Sequence, residues 1–245
     1  MTDRPRIQAA IGGLYSWAAP RVYEPVVVKG AFRLFGGNLT ELAFDQGRRA
    51  VGTAAGRPIL DVPAGTGYFA GAAAHAHPGI VAGADYAWGM VQATRRRAIA
   101  GLVPVQADVH HLPFRSGAFA VILCTNGLQV IPGLSGAVRE LARVLGPGGT
   151  VYVSVLLASL GGLLPARTGR RLPTVLRGGA AVAAEFESAG LTVTAYRRVR
   201  FAHLFEAVKR QGPFSRSGGP GRCSRAETPS LDPNPRRARR SRRPR

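Results

Sequence analysis

Ile59-Leu60-Asp61-Val62-Pro63-Ala64-Gly65-Thr66-Gly67 is the stretch on which the fold turns. A short apolar run ends in a carboxylate, and two glycines follow where a helix should begin. Such a run is too short for a buried helix and suits a strand covered on both faces. Glycines at that junction allow a sharp turn and let a ligand approach bare backbone. The same grammar repeats downstream, with Asp85 ending the next apolar run and Asp108 following the one after. Strands are expected at 58–62, 79–84, 103–107, 119–125 and 149–156, with helices at 67–76, 87–100 and 133–145 and a tighter connection near 109–117. Alternation of this kind predicts an α/β domain with a parallel sheet and helices on both faces. Acids on successive strand tips beside a glycine turn have the layout of a nucleotide-cofactor pocket.

Outward from this core the pattern changes on both sides. Residues 1–56 carry helical spacing in pieces, including Leu14, Trp17 and Ala18 and then Leu39, Leu42 and Ala43, punctuated by Pro20, Pro25, Gly36 and Gly37. They read as two or three short helices forming an N-terminal helical cap. After 156 the pattern loosens, then returns as a helix at about 178–189 closed by Gly190 and two β-like runs at 191–200 and 202–209. The cofactor-binding domain is therefore expected over 57–210. From 211 to 245 Gly, Ser, Pro and Arg dominate, and so polar a segment buries too little surface to offset its ordering entropy. It reads as a disordered basic tail, and its abrupt onset also fits a change of reading frame.

The net charge of +20 would ordinarily point to nucleic acid or an anionic membrane. Its distribution argues otherwise. The 211–245 tail holds ten Arg against Glu227 and Asp232, which is +8 of the +20. The remaining +12 is scattered, and only Lys29 and Lys209 are lysines. With abundant Ala and Gly, this Arg bias reads as coding composition more than as phosphate recognition. Cys124 and Cys223 supply neither a disulfide framework nor metal-ligand spacing, so no metal is expected and a reducing cytoplasm is the natural setting. The N-terminus lacks the apolar run of a signal peptide, and no stretch of 18 or more uninterrupted apolar residues stands anywhere in the chain.

The series from Asp61 through Asp85 and Asp108 to Glu140-Leu-Ala-Arg-Val-Leu-Gly-Pro-Gly-Gly149 resembles the class I S-adenosylmethionine-dependent methyltransferases, particularly the small-molecule group that includes the ubiquinone and menaquinone C-methyltransferases. The resemblance covers about 57–156 strongly and extends weakly to 210. It implies a Rossmann-like seven-stranded sheet whose last strand is inserted antiparallel, and S-adenosylmethionine as cofactor. Its cofactor residues map onto Asp61, Ala64, Gly65, Gly67, Asp85, Tyr86, Asp108 and Val109. Asp61 would orient the loop and attract the ammonium, and the helix from 67 would aim N–H groups at the methionine carboxylate, worth roughly 0.3–1 kcal/mol. Asp85, 20 residues beyond Gly65, would accept from the ribose hydroxyls, and Asp108 from the adenine amino group, with Leu112-Pro-Phe114 as apolar wall. Three departures stand out: Pro63 replaces the first glycine of the motif, Ala120 a common Asp, and Gly146 a frequent helix-end Lys.

Gly65-x-Gly67-x-x-Ala70 also satisfies a loose dinucleotide fingerprint, so an NAD(P)-binding oxidoreductase is the rival. Asp61 at the strand end, the Asp108–Phe114 wall and the segment before strand 5 favour the methyl donor. A third reading is a non-catalytic cofactor-fold protein whose basic tail contacts nucleic acid. For the acceptor, Asn126 and Gln129 follow strand 4 where this fold places substrate, His110 or His111 is a candidate base, and Tyr15, Trp17 and Tyr23 are candidates for a lid. Thr125-Asn126-Gly127-Leu128 lacks the Asn/Asp-Pro-Pro-aromatic run of nucleic-acid amino methyltransferases. The expected acceptor is a small molecule of quinone, polyketide or lipid-like kind, with peripheral membrane contact if it is lipid-like and no specific nucleic acid.

Overall fold

The computed structural model describes residues 38–156 and 179–211. The Tyr15, Trp17 and Tyr23 lid, the first part of the helical cap and the basic tail from 212 onward lie outside the described residues. Helix α1 spans Leu39–Ala54 and stops where Ala55 turns left-handed at φ 49° and returns its N–H to Val51. Then follow β1 (Ile59–Asp61), α2 (Tyr68–Ala76), β2 (Val81–Asp85), α3 (Trp88–Arg96), β3 (Leu102–Gln106), β4 (Phe119–Thr125), α4 (Leu134–Val144), β5 (Leu145–Leu156), α5 (Gly179–Ser188), β6 (Leu191–Val199) and β7 (Ala202–Lys209).

The seven strands form one sheet in the order β3-β2-β1-β4-β5-β7-β6. Strands β1 to β5 pair in parallel, whereas β7 is antiparallel to both β5 and β6. This is the expected antiparallel insertion. It also separates the sheet from the dinucleotide order 3-2-1-4-5-6, in which every strand is parallel. The order reverses between β1 and β4, so a crevice at their carboxyl ends is where a ligand of such a sheet sits.

Successive residues of the central strands divide between two layers, as the pleat requires. Ile59, Val81, Val121, Leu123 and Tyr152 pack with Ala50 and Ala54 of α1 and Ala70, Ala73 and Ala74 of α2. Leu60, Ile122, Cys124, Val153 and Val155 pack on the other side with Val138 and Leu141 of α4 and Phe186 of α5. The small residues of α2 have a packing cause: a Cβ on Gly71 would lie 2.6 Å from Ile99 Cδ1.

Several boundaries differ from the sequence reading, most by one or two residues. Helix α3 ends at Arg96 instead of reaching 100, because Ala98 adopts φ 48° and Gly101 φ 77° on the way into β3. Strand β2 runs through Asp85, so the acid is the strand's last residue. Strand β5 starts at Leu145 instead of 149: Leu145 pairs with Phe119, the ladder slips, and Thr150 pairs with Val121, so Gly146 to Gly149 form an irregularity within the strand. The helix-end charge missing at Gly146 comes from elsewhere in the chain. Lys209 Nζ donates to the carbonyls of Ala142 and Leu145, each at 2.7 Å, at the carboxyl end of α4 where a cation complements the helix dipole.

Candidate functional site

The nine residues from 59 to 67 become a strand, a loop and a helix start. Val62 extends β1 by donating to Leu123 O, and Ala64 donates to Ala84 O at 2.8 Å, so the loop stays stitched to both neighbouring strands. Gly65 (φ 56°) and Gly67 (φ 74°) then take left-handed conformations, which L side chains adopt only at a cost. Gly67 is doubly constrained, since a Cβ there would lie 2.7 Å from Thr94 Cγ2. Helix α3 reaches back to hold the loop: Thr94 Oγ1 donates to Gly65 O at 3.1 Å and Arg97 Nε to Thr66 O at 2.8 Å.

Pro63 has its own accommodation. Its ring packs so closely on Gly127 that any Cβ at 127 would overlap it. Gly127 has φ −112°, so what the site needs from this glycine is space, not an unusual backbone angle. The departure at Pro63 is thus matched by a glycine beyond β4, joining the two loops that flank the crevice.

The three acids lie along the carboxyl edge of the sheet but differ in how they are satisfied. Asp61 is 1% exposed, and its Oδ1 has no hydrogen-bond partner. Burial, with a smaller contribution from the neighbouring Asp85 carboxylate, pushes its pKa up to about 8, only partly offset by the Ala70 N–H in the first turn of α2. Asp85 accepts Gly65 N–H on Oδ2 at 2.8 Å and Ala87 N–H on Oδ1 at 2.9 Å. Its pKa is also raised, by burial first, with the backbone N–H groups opposing. The Asp85 carboxylate keeps capacity for a further donor. Tyr86, next along the chain, is exposed at the same edge, and its carbonyl accepts from Gln106 Nε2.

Asp108 lies in the turn after β3. Its Oδ1 accepts the His110 N–H and faces His110 Nδ1, both at 2.9 Å, while His110 Nε2 faces Gly133 O at 3.2 Å. Both nitrogens of this buried ring therefore lie within hydrogen-bond distance of protein oxygens. His110 holds Asp108 in place, and the geometry leaves no nitrogen for the general-base role considered above. His111 is well exposed on the outer side. Val109 and Leu112 are buried beside Asp108, and Phe114 stacks edge-on against Phe119 at 4.8 Å. Glu140 and Arg143, which the sequence offered only as part of a family resemblance, clamp this wall. Glu140 Oε1 accepts Leu112 N–H at 2.7 Å, and Arg143 donates to Phe114 O (2.8 Å), Leu112 O (3.1 Å) and both Glu140 oxygens.

Beyond β4, Asn126 (φ 52°) is 7% exposed, and neither atom of its side-chain amide has a partner. Gln129 Nε2 donates to Asn126 O at 2.7 Å and leaves its Oε1 unpartnered. Ser154 Oγ, on the next strand, is likewise buried and unpartnered. Buried polar groups are normally hydrogen-bonded. Asp61 ends β1, Asn126 and Gln129 lie in the turn after β4, and Ser154 lies on β5, so these unsatisfied groups collect around the topological switch point. On the α1–α2 side, a cavity of about 450 Å³ reaches Leu123 and Thr125 and is lined by Phe44, Val51, Phe69 and Ala73 among others. Among the described residues, no group of three or more His, Cys, Asp or Glu is placed to hold a metal ion.

Residues 60–153 match the family model described as a methyltransferase domain. A demethylmenaquinone methyltransferase of Clavibacter sepedonicus is 39% identical over 108 residues, 43% of this chain and 43% of that protein. A malonyl-[acyl-carrier protein] O-methyltransferase of Halorhodospira halophila is 39% identical over 98 residues, 39% of this chain and 33% of that protein. The chain thus spans less than half the length of these two relatives. Among solved structures, an S-adenosylmethionine-dependent methyltransferase from Aquifex aeolicus superposes with a TM-score of 0.58 at 15% identity, covering 80% of this chain and 97% of that one. Sheet order and comparisons agree on the architecture: residues 60–153 match the methyltransferase-domain model, and the sheet has the fold of the S-adenosylmethionine-dependent methyltransferase structure on which it superposes.

Proposed function

We propose that the chain transfers a methyl group from S-adenosylmethionine to a small apolar acceptor, with 57–210 as its cofactor domain and 1–56 as its cap. The observation that carries this reading is the orphaned, fully buried carboxylate oxygen of Asp61 beside a glycine cradle. A buried acid without a partner is costly unless a cation arrives, and the methionine ammonium is such a cation. Gly65 and Gly67 leave the backbone bare, and the start of α2 suits the carboxylate. Asp85 would take the ribose diol with its remaining lone pairs, beside Tyr86 and Ala64. Asp108 and Val109, backed by Leu112 and Phe114, would take the adenine.

When bound, S-adenosylmethionine supplies a methyl group on a positively charged sulfur, so alignment and exclusion of water can provide most of the acceleration. Asn126 and Gln129 would orient the acceptor through their unpartnered polar atoms, and the apolar cavity ending at Thr125 favours an acceptor with a hydrocarbon portion. The similarity to a demethylmenaquinone methyltransferase supports the same reading, toward quinone or lipid-like acceptors. No helix among the described residues is long and apolar enough to cross a membrane, and a cytoplasmic enzyme meeting its acceptor peripherally is consistent with that. Calorimetric titration with S-adenosylmethionine, NAD and NADP tests the cofactor. Micromolar affinity for the methyl donor is expected, and binding of a dinucleotide in its place refutes the assignment. Labelled-methyl transfer from the donor into quinone precursors then tests the acceptor class.

A further inference from the structure

The hairpin of β6 and β7 has a use that the cofactor site does not absorb. Strand β6 is the sheet's free edge, and from Thr194 to Arg198 its residues are exposed on both faces, so the strand projects beyond the layer of helices. Because β6 and β5 both run antiparallel to β7, the tip of the hairpin falls at the sheet's carboxyl edge: Ala202 pairs with Leu156 on one side and Val199 on the other. That is the edge carrying Asp61, Asp85 and Thr125. The tip is tied to it by packing, since Val199, Ala202 and Leu204 cluster with Leu39 and Leu42 of α1 and with Tyr68 and Phe69, directly after the glycine loop.

The chemistry of the tip is uniform. Arg197, Arg198, Arg200 and Phe201 are exposed, Phe201 by 48% and Tyr196 by 52%. No Asp or Glu occurs from 188 to 205, and Glu206 is engaged by Arg49 in a bidentate ion pair. Arg198 Nε donates to Arg200 O at 3.1 Å, bracing a turn in which Arg200 has φ 54°. A large apolar ring flanked by guanidinium groups on a projecting turn matches a bilayer interface, where aromatic rings settle at headgroup level and basic residues meet anionic phosphates. Single-stranded nucleic acid, by contrast, is held in grooves with stacking platforms, and this tip is the turn of a hairpin at the sheet's edge.

We propose that the β6–β7 tip is a docking surface for an anionic lipid membrane, with Phe201 entering the headgroup region and Arg197, Arg198 and Arg200 meeting lipid phosphates. The carboxyl edge then faces the bilayer, and an acceptor with a hydrocarbon portion reaches the crevice without crossing water. This last consequence rests on the proposed methyl transfer; the docking itself does not.

The test uses the full chain and vesicles of phosphatidylcholine alone or mixed with phosphatidylglycerol. A Phe201→Trp variant reports on the tip itself, with the wild-type chain as background for Trp17 and Trp88. The added emission is expected to shift to the blue and to be quenched by lipids brominated along their acyl chains, only when phosphatidylglycerol is present. Arg197→Gln combined with Arg200→Asn, the latter chosen because Asn tolerates the left-handed angle, should weaken vesicle binding roughly 30-fold at low salt. Both variants should keep wild-type affinity for S-adenosylmethionine. Vesicle binding without quenching at position 201 places the contact in another part of the chain, such as the basic tail, and overturns the proposal. Failure to bind anionic vesicles overturns it too, as does loss of RNA retention in the double variant when vesicles are not bound. Quenching at 201 in a chain that does not bind S-adenosylmethionine would sink the methyl-transfer reading while leaving the docking surface intact.

Discussion

Binding of the methyl donor should expel a proton, and Asp61 should be its source. In the ligand-free protein its carboxyl is pushed up to about 8, so at pH 7 roughly nine molecules in ten carry the proton. A cationic ammonium placed on this group favours the carboxylate, because opposite charge reverses the effect of burial. About 0.9 proton per donor should therefore be released at pH 7. Affinity should fall roughly ninefold from pH 7 to pH 6, because the protonated fraction must first be ionised. Over that interval an α-amino group stays largely protonated, so the donor's own amine contributes little. Calorimetry in buffers of different ionisation enthalpy measures the release directly. Asp61→Asn should abolish most of it and flatten the pH dependence while weakening binding. If the wild type releases no proton, or Asp61→Asn releases as much as the wild type, Asp61 does not receive the ammonium and the reasoning behind the cofactor site fails.

Gly67→Ala forces an L side chain to φ 74° and drives a Cβ into Thr94 Cγ2, so it should cost roughly 1–3 kcal/mol in thermal or denaturant unfolding and weaken donor binding. Gly127→Ala should lower stability by roughly 1–3 kcal/mol through overlap with the Pro63 ring, and Pro63→Gly in the same chain should recover much of that loss; additive effects in the double-mutant cycle would disprove the contact. Arg143→Ala unclamps Leu112 and Phe114 and should weaken donor binding from the adenine end. The same variant has a pH signature. The Arg143 hydrogen bonds hold the Glu140 carboxyl below its usual range, so the stability they confer is present above the ordinary Glu range and lost as pH falls through the lowered value; acid melts of Arg143→Ala should lack that step.

Much of the site was readable because it follows the periodicity of the strands. Asp61 and Asp85 end apolar runs and Asp108 comes just after one, and a parallel sheet brings the ends of its strands to one edge whatever lies between them. The glycines were readable because only a turn explains them. What escaped was supplied by residues distant in the chain. Thr94 and Arg97 hold the carbonyls of Gly65 and Thr66 from 29 and 31 positions away, and on sequence they are ordinary members of an amphipathic helix. Gly127 carried no signal of its own in the sequence, and its role follows only from the Pro63 ring against it. His110 carried the signal of a candidate base, yet Asp108, two residues away, and Gly133, twenty-three away, each place an oxygen within hydrogen-bond distance of a ring nitrogen. Lys209 was one of two lysines and carried no signal at all for the carboxyl end of α4.

The contrast between the acids says what each is for. Asp85 and Asp108 are stabilised by groups of the protein itself, namely backbone N–H donors and His110, so they hold their positions with or without a ligand. Asp61 is the exception, buried more deeply than either and with one oxygen unanswered. Its folded pKa stands above the unfolded value of 3.8, so the stability linked to its proton is complete below that value and drains away as pH rises through about 8. The full swing is about 6 kcal/mol at most, comparable to the net stability of many domains. Selection for stability alone would favour an amide at this position, and the ligand-free Asp61→Asn protein should hold its melting temperature between pH 5 and 8 where the wild type declines. On the proposed reading, a carboxyl group kept at that cost beside two left-handed glycines awaits an occupant that brings the missing positive charge.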